Sequence, residues 1–175
     1  MSTLAVNTIH NTSGAYSITG VGKILQVVQT TKTDTFSVAT TMNGSAGWTD
    51  ITGMSVNITP SSASNKVLIM TTGRTSATNH TVVRLLRGST AIAIGDQEGS
   101  NRTRSSTGDL GVSGGYQNAN ASIIWLDSPS TTSQVTYKMQ IASANTSYFN
   151  RQVSDSDHLV YTRSASVITA MEVAA

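Results

Sequence analysis

The chain has 175 residues, a formal net charge of +2, 11% charged against 38% hydrophobic residues, and no cysteine. That length suits one domain with a short extension, and the missing cysteines exclude a disulfide framework, thiolate catalysis and a cysteine-ligated zinc site. Polarity comes mainly from Ser, Thr and Asn, and the small, scattered basic excess is a poor match to nucleic acid.

In residues 2–10, Leu4 and Val6 lie on one extended face with Ile9 shortly after. A lone terminal strand has no sheet to complete in its own chain, so it either frays or pairs with something else, copies of itself included. MSTLAVNTIHNTSG lacks the charged and apolar regions of a secretory leader, and no apolar run approaches the roughly 20 residues that cross a bilayer. The expectation is a soluble protein, made in a cytoplasm, with no membrane partner. Residues 11–22 form a glycine-punctuated connector, so the chain divides into an extended segment, 1–22, and a compact domain, 23–175.

Ile24 to Val28 reads as a strand from its β-branched content, and Phe36 with Val38 marks a short further piece. The centre of the domain is TDITGMSVNITPSSASNKVLIM, residues 49–70. Met54, Val56 and Ile58 alternate with Ser55, Asn57 and Thr59, the period-two pattern of a half-buried strand. Pro60 cannot donate to a ladder, and the Ser/Asn run after it bonds locally to backbone, so pairing stops there. Val67 to Met70 is apolar on both faces, which suits a strand covered on both sides. Gly73 to His80 reads as a polar loop. Val82, Val83, Leu85 and Leu86 fit one helical turn about as well as a strand, but the β-branched start and the Gly88-Ser89 turn favour a hairpin into Ile92 and Ile94.

Gly95 to Gln117 is the longest polar stretch. Ile123 to Leu126 is apolar on both faces, and Val135, Tyr137, Met139 and Ile141 alternate cleanly. A loop from Ser143 to Asp157 carries Tyr148, Phe149, Asn150 and Arg151; His158 to Thr162 is expected as a short strand. The chain closes on Ser166 to Val173, apolar on both faces, which places Ile168 and Ala170 against another subunit. No window carries apolar residues at helical spacing, since Thr, Ser and Gly break every candidate. About ten strands without a repeated unit predict an all-β, antiparallel β-sandwich.

Catalytic chemistry is thinly supplied. The three histidines, His10, His80 and His158, are far apart in sequence, and the nine acidic residues are spread along the chain. A polysaccharide depolymerase would need grouped carboxylates in a cleft. Asp155, Asp157 and His158, or Asp96, Glu98 and Asn101, fall short of a full cation-binding order. No Gly-x-Ser-x-Gly elbow or Walker phosphate loop is present. No catalytic residue, metal site or cofactor is assigned.

VGKILQVVQ, the 49–70 unit, RLLRGSTAIAIGD, ASIIWLDSP, VTYKMQIAS and the closing SASVITAMEV together resemble a family of small virion proteins of tailed bacteriophages, usually described as tail fibre or structural proteins. The resemblance covers nearly the whole chain. It implies a jelly-roll head of the kind shared with tumour necrosis factor and C1q, assembled as a homotrimer and located in the virion. The N-terminal segment is similar to stretches that precede such heads, where three chains intertwine, and this likeness implies that Leu4, Val6 and Ile9 meet their symmetry mates. The short distance from Met1 to the head leaves room for a tail tip, a head fibre or a capsid decoration protein that binds the major capsid protein. Partners implied are the chain itself, another virion protein and a host surface glycan. Loops on a rigid sandwich present Tyr and Arg at low ordering loss, so Tyr116, Asn118, Tyr148, Phe149, Asn150 and Arg151 are the candidate ligand contacts.

Overall fold

A computed structural model describes residues 22–39, 41–42, 47–111 and 117–175. Leu4, Val6, Ile9 and Tyr116 fall outside them. The elements, in order, are β1 (Ile24–Lys32), β2 (Phe36–Val38), β3 (Thr49–Ile58), β4 (Lys66–Thr72), β5 (Arg74–Ala77), β6 (Thr81–Arg87), β7 (Thr90–Ile92), β8 (Ala119–Asn120), β9 (Ile123–Asp127), β10 (Val135–Ser143), β11 (Ser147–Phe149) and β12 (Ser166–Val173). Every pairing is antiparallel, and there is no helix among the described residues.

Eight of these strands make two facing sheets, β1-β12-β4-β9 and β3-β10-β6-β7. Ranked by sequence, they run first, eighth, third, sixth and second, seventh, fourth, fifth, which is the double Greek key of a jelly roll. The β-sandwich expected from strand count and spacing is therefore the fold. At one end a smaller sheet, β2-β11-β5-β8, extends it.

Alternation explains most of the packing. Met54, Val56 and Ile58 of β3 and Val135, Tyr137, Met139 and Ile141 of β10 are buried, facing Val67, Ile69, Ile168 and Ala170 of the other sheet in one core. Each such side chain contributes on the order of 1.5 to 3 kcal/mol when fully buried. Ile168 and Ala170, expected at a contact between copies, thus lie wholly inside one chain. Val167, Thr169, Met171 and Val173 alternate with them and are half-exposed.

Two polar segments depart from the expectations. Within the stretch read as a loop from Gly73 to His80, Arg74–Ala77 pairs with β11 and β8. Its side chains Thr75, Ser76 and Ala77 are small enough to be buried without the apolar alternation that marks a strand in sequence. The expected strand at His158 to Thr162 is instead a turn, in which the Tyr161 amide donates to the His158 carbonyl at 3.0 Å.

Residues 105–110 run beside β6. The Ser106 and Thr107 amides donate to the Val83 carbonyl, the Leu110 amide donates to the Thr81 carbonyl, and the Ser106 and Thr107 hydroxyls accept from the Leu85 and Val83 amides. These bonds occupy the part of β6 that the short β7 leaves open.

Candidate functional site

Two regions of the surface stand out. The first is the outer face of β1-β12-β4-β9. Register aligns Val27 with Met171, Met171 with Leu68, and Leu68 with Leu126, one apolar row crossing four strands. The next row is Gln29, Thr169, Met70 and Ile124. In the first row Val27 is 56% exposed and Leu126 47%, with Met171 and Leu68 half-buried between them, and in the second Ile124 is 68% exposed. Monomeric proteins rarely expose contiguous apolar faces of this kind. The strands with two apolar faces carried this signal in sequence; residue-by-residue assignment selected the alternate side chains of β12.

The second region is the segment between β11 and β12. Tyr148 is half-buried on β11, and the Arg151 guanidinium stacks on its ring 3.9 Å from the centroid. Arg151 Nη1 donates to Asp155 Oδ2 at 2.9 Å, and Arg163 donates to both Asp155 oxygens at 3.1 and 2.6 Å. The hydrogen bonds from Arg163, then Arg151, outweigh burial and hold the Asp155 carboxyl down to about 2. Both strands of the segment are tied at its base by an Arg151–Arg163 backbone bridge and by the Ser164 amide donating to the Asn150 carbonyl. Leu159 stands 90% exposed at the tip.

The other expected contacts divide by role. Phe149 is fully buried in the core, under Gly73, where an added Cβ would stand 2.6 Å from the ring. Asn150 is also fully buried, at a φ of 63°, which an Asn tolerates better than most residues. Its amide donates to the Lys32 and Asp34 carbonyls and its oxygen accepts from the Ser166 hydroxyl. Both side chains serve the fold. Asn118 is half-buried, with its side-chain oxygen buried and lacking a hydrogen-bond partner. Tyr148 and Arg151 alone of the described candidates meet at the surface, and through Arg151 they are joined to Asp155 and Arg163.

Two further clusters of titratable groups bond within the domain. His80 pairs with Asp109, whose other oxygen accepts from the Thr81 and Gly111 amides. Thr81, Ser143 and Ser147 hydroxyls bond one another, and among the described residues no hydroxyl bonds the His80 imidazole. Asp127 accepts from Arg87 and from the Tyr137 hydroxyl at 2.7 Å, tying β9 of one sheet to β6 and β10 of the other. Burial, then Asp127, push the Tyr137 phenol up. Among the described residues no group of His, Cys, Asp and Glu could hold a metal ion, and no helix is long and apolar enough to cross a membrane.

No protein-family model matches the chain, and no curated protein matches it. Among solved structures it is similar to a chain of infectious bursal disease virus, Gx strain, at 12% identity and a TM-score of 0.41, covering 85% of this chain and 38% of that one. The VP2 subviral particle of infectious bursal disease virus matches at 13% identity and a TM-score of 0.39, covering 85% of this chain and 39% of that one. The chain spans about two fifths of the length of these viral chains. Both matches are loose, and the fold assignment rests on strand order alone.

Proposed function

We propose that this chain is a non-enzymatic structural protein of a tailed-bacteriophage virion, a homotrimer of tail fibre or tip type whose loops contact the host surface. The observation that carries the reading is the uncovered apolar face of β1-β12-β4-β9. Sequence resemblance supplies the phage setting, and the jelly-roll strand order agrees with the head domain that resemblance implies. The exposed row supplies a physical reason for copies to meet. Each half-covered side chain in it would add about 1 kcal/mol on full burial. Contributions from both partners then reach the range of roughly 4 to 15 kcal/mol that association loses in translational and rotational freedom.

Light scattering at low micromolar concentration tests the assembly. The expected mass is three times the 18.3 kDa of one chain; a folded species of single-chain mass would overturn the trimer. Virions labelled on this chain test the location. Label at the tail supports a fibre or tip, and label over the head would replace that role with capsid decoration or a head fibre.

A further inference from the structure

A sheet edge left unpaired invites another strand, and folded proteins block it with a bulge, a charge, a proline, a very short strand or a cover. Three of the four edges of the sandwich are blocked in this way. β1 has a register shift between Ile24 and Gln26 and ends on the buried Lys32. β3 takes a φ of 84° at Gly53, where its register with β10 shifts. β7 is three residues long, and residues 105–110 occupy the rest of the β6 edge. β9 is different: it pairs with β4 through five residues without a shift, and Ile124, Trp125 and Leu126 are all exposed. Its single charge, on Asp127, closes the end of the strand on Arg87 and Tyr137.

Backbone direction defines what that edge offers. The amides of Ala121 and Ile123 turn toward β4, donating to the Gly73 carbonyl at 2.8 Å and to Thr71 Oγ1 at 3.0 Å. By alternation the Trp125 and Asp127 amides face β4 as well, which leaves the N–H and C=O groups of Ile124 and Leu126 pointing off the sheet. The Trp125 side chain shares the inner side with buried Ile123 and Asp127, yet it is 42% exposed. β1 lies against β3, so β9 stands over the β6–β7 end, where Arg87 reaches Asp127 and the short β7 leaves Ile92 half-buried. The inner surface of the sheet is thus unfinished at β9. One more strand, apolar at alternate positions, would cover the indole.

The chain itself contains such a strand. Leu4 and Val6 are apolar at a spacing of two, in a segment for which the sequence alone shows no partner. The described structure begins at Gly22, and the Lys23 carbonyl accepts from the Ala174 amide at 2.9 Å. Register sets Ile24 beside Val173, Val173 beside Lys66 and Val67 beside Asp127, so the chain enters the sheet at the end where β9 leaves it. β9 lies three strand spacings from β1, about 14 Å. The twelve residues from His10 to Val21 span up to about 40 Å when extended. We infer that residues 2–9 of the same chain add a fifth strand to β1-β12-β4-β9 at the free edge of β9, with Leu4 and Val6 on the Trp125 side. This pairing does not rest on the assembly of copies, and it differs from three such segments meeting one another.

Hydrogen exchange on the full chain, read residue by residue by NMR, tests the pairing. The Ile124 and Leu126 amides, which point away from β4, are expected to be protected. Val6→Pro removes a ladder donor from the added strand and should speed both amides at least about tenfold. The Trp125 amide, turned toward β4, stays protected and reports an intact sheet. Ser13→Pro, in the connector, should leave all three unchanged. Free exchange of Ile124 and Leu126 in the parent would overturn the inference. So would protection that Val6→Pro leaves in place, or an acceleration by Ser13→Pro equal to that by Val6→Pro. Isotope-labelled Val6→Pro mixed with excess unlabelled parent separates the sources of the strand. Labelled amides that stay fast support pairing within one chain; protection restored by the parent means that a second copy donates the strand, and overturns it.

Discussion

Glu172 is the most heavily hydrogen-bonded carboxylate of the described chain. It lies on β12, 1% exposed, and accepts from Gln26 Nε2 at 2.6 Å, Asn65 Nδ2 at 2.6 Å, and the amide and hydroxyl of Ser61, each at 2.7 Å. The turn after Pro60 is thereby pinned to β1 and β12. Burial pushes the carboxyl up, but these donors outweigh it and hold it down to about 2, against an ordinary 4.5. Because the folded value is the lower, Glu172 stabilises fully above pH 4.5 and loses that contribution as pH falls toward about 2. Glu172→Gln turns an amide donor toward groups that are themselves donors and should lower stability by about 1 to 3 kcal/mol. Urea unfolding at pH 7 measures that loss. Repeated at pH 3, the difference between variant and parent should shrink; a constant difference would mean that the charge is not what the turn responds to.

At the scale of elements, Gly73 and the polar strip 105–110 carry the clearest consequences. Gly73 joins β4 to β5 over the buried Phe149, and its missing Cβ is what lets the aromatic ring pack against the turn. Gly73→Ala should destabilise by about 1 to 3 kcal/mol through overpacking, measured by thermal unfolding. Residues 105–110 act as a strand without being one. Replacing Ser106 and Thr107 together, by Ala and Val, removes the acceptors of the Leu85 and Val83 amides. Hydrogen exchange at those two amides should then accelerate, while the β10-facing bonds of β6 keep their protection.

These elements mark how far the sequence could be read. β3, β4, β10 and β12 were legible because their buried faces alternate apolar side chains, and the pattern fixes the register of a half-buried strand. Arg74–Ala77 and Ser147–Phe149 were not, because small side chains fill the buried positions of the first and the second is only three residues long, burying Ser147 beside Phe149, so neither shows an apolar alternation. Phe149 and Asn150 were read as contacts for a similar reason: type and loop setting cannot distinguish an Asn that bonds ligand from one that bonds the Lys32 and Asp34 carbonyls. The Asp155 clamp was hidden altogether, since Arg151 and Arg163 meet it only after the segment folds back on itself.

For the whole molecule, the decisive property is that the sandwich is closed on the inside and open on one outer face. The Val27–Met171–Leu68–Leu126 row predicts a melting temperature that rises with protein concentration if copies cover it. Val27→Ser combined with Leu126→Ser should abolish that dependence and give a single-chain mass, with little change in the stability of one chain because both side chains are already about half exposed. A dependence that survives both substitutions would place the contact elsewhere.

The same face carries two thioethers, Met70 at 39% exposed and Met171 half-exposed. Sulfoxidation converts a flexible apolar side chain into a polar one, so mild peroxide should act as a chemical footprint here. If copies cover this face, both sulfurs should take up oxygen in dilute solution and be shielded at higher protein concentration, and material oxidised beforehand should keep a single-chain mass.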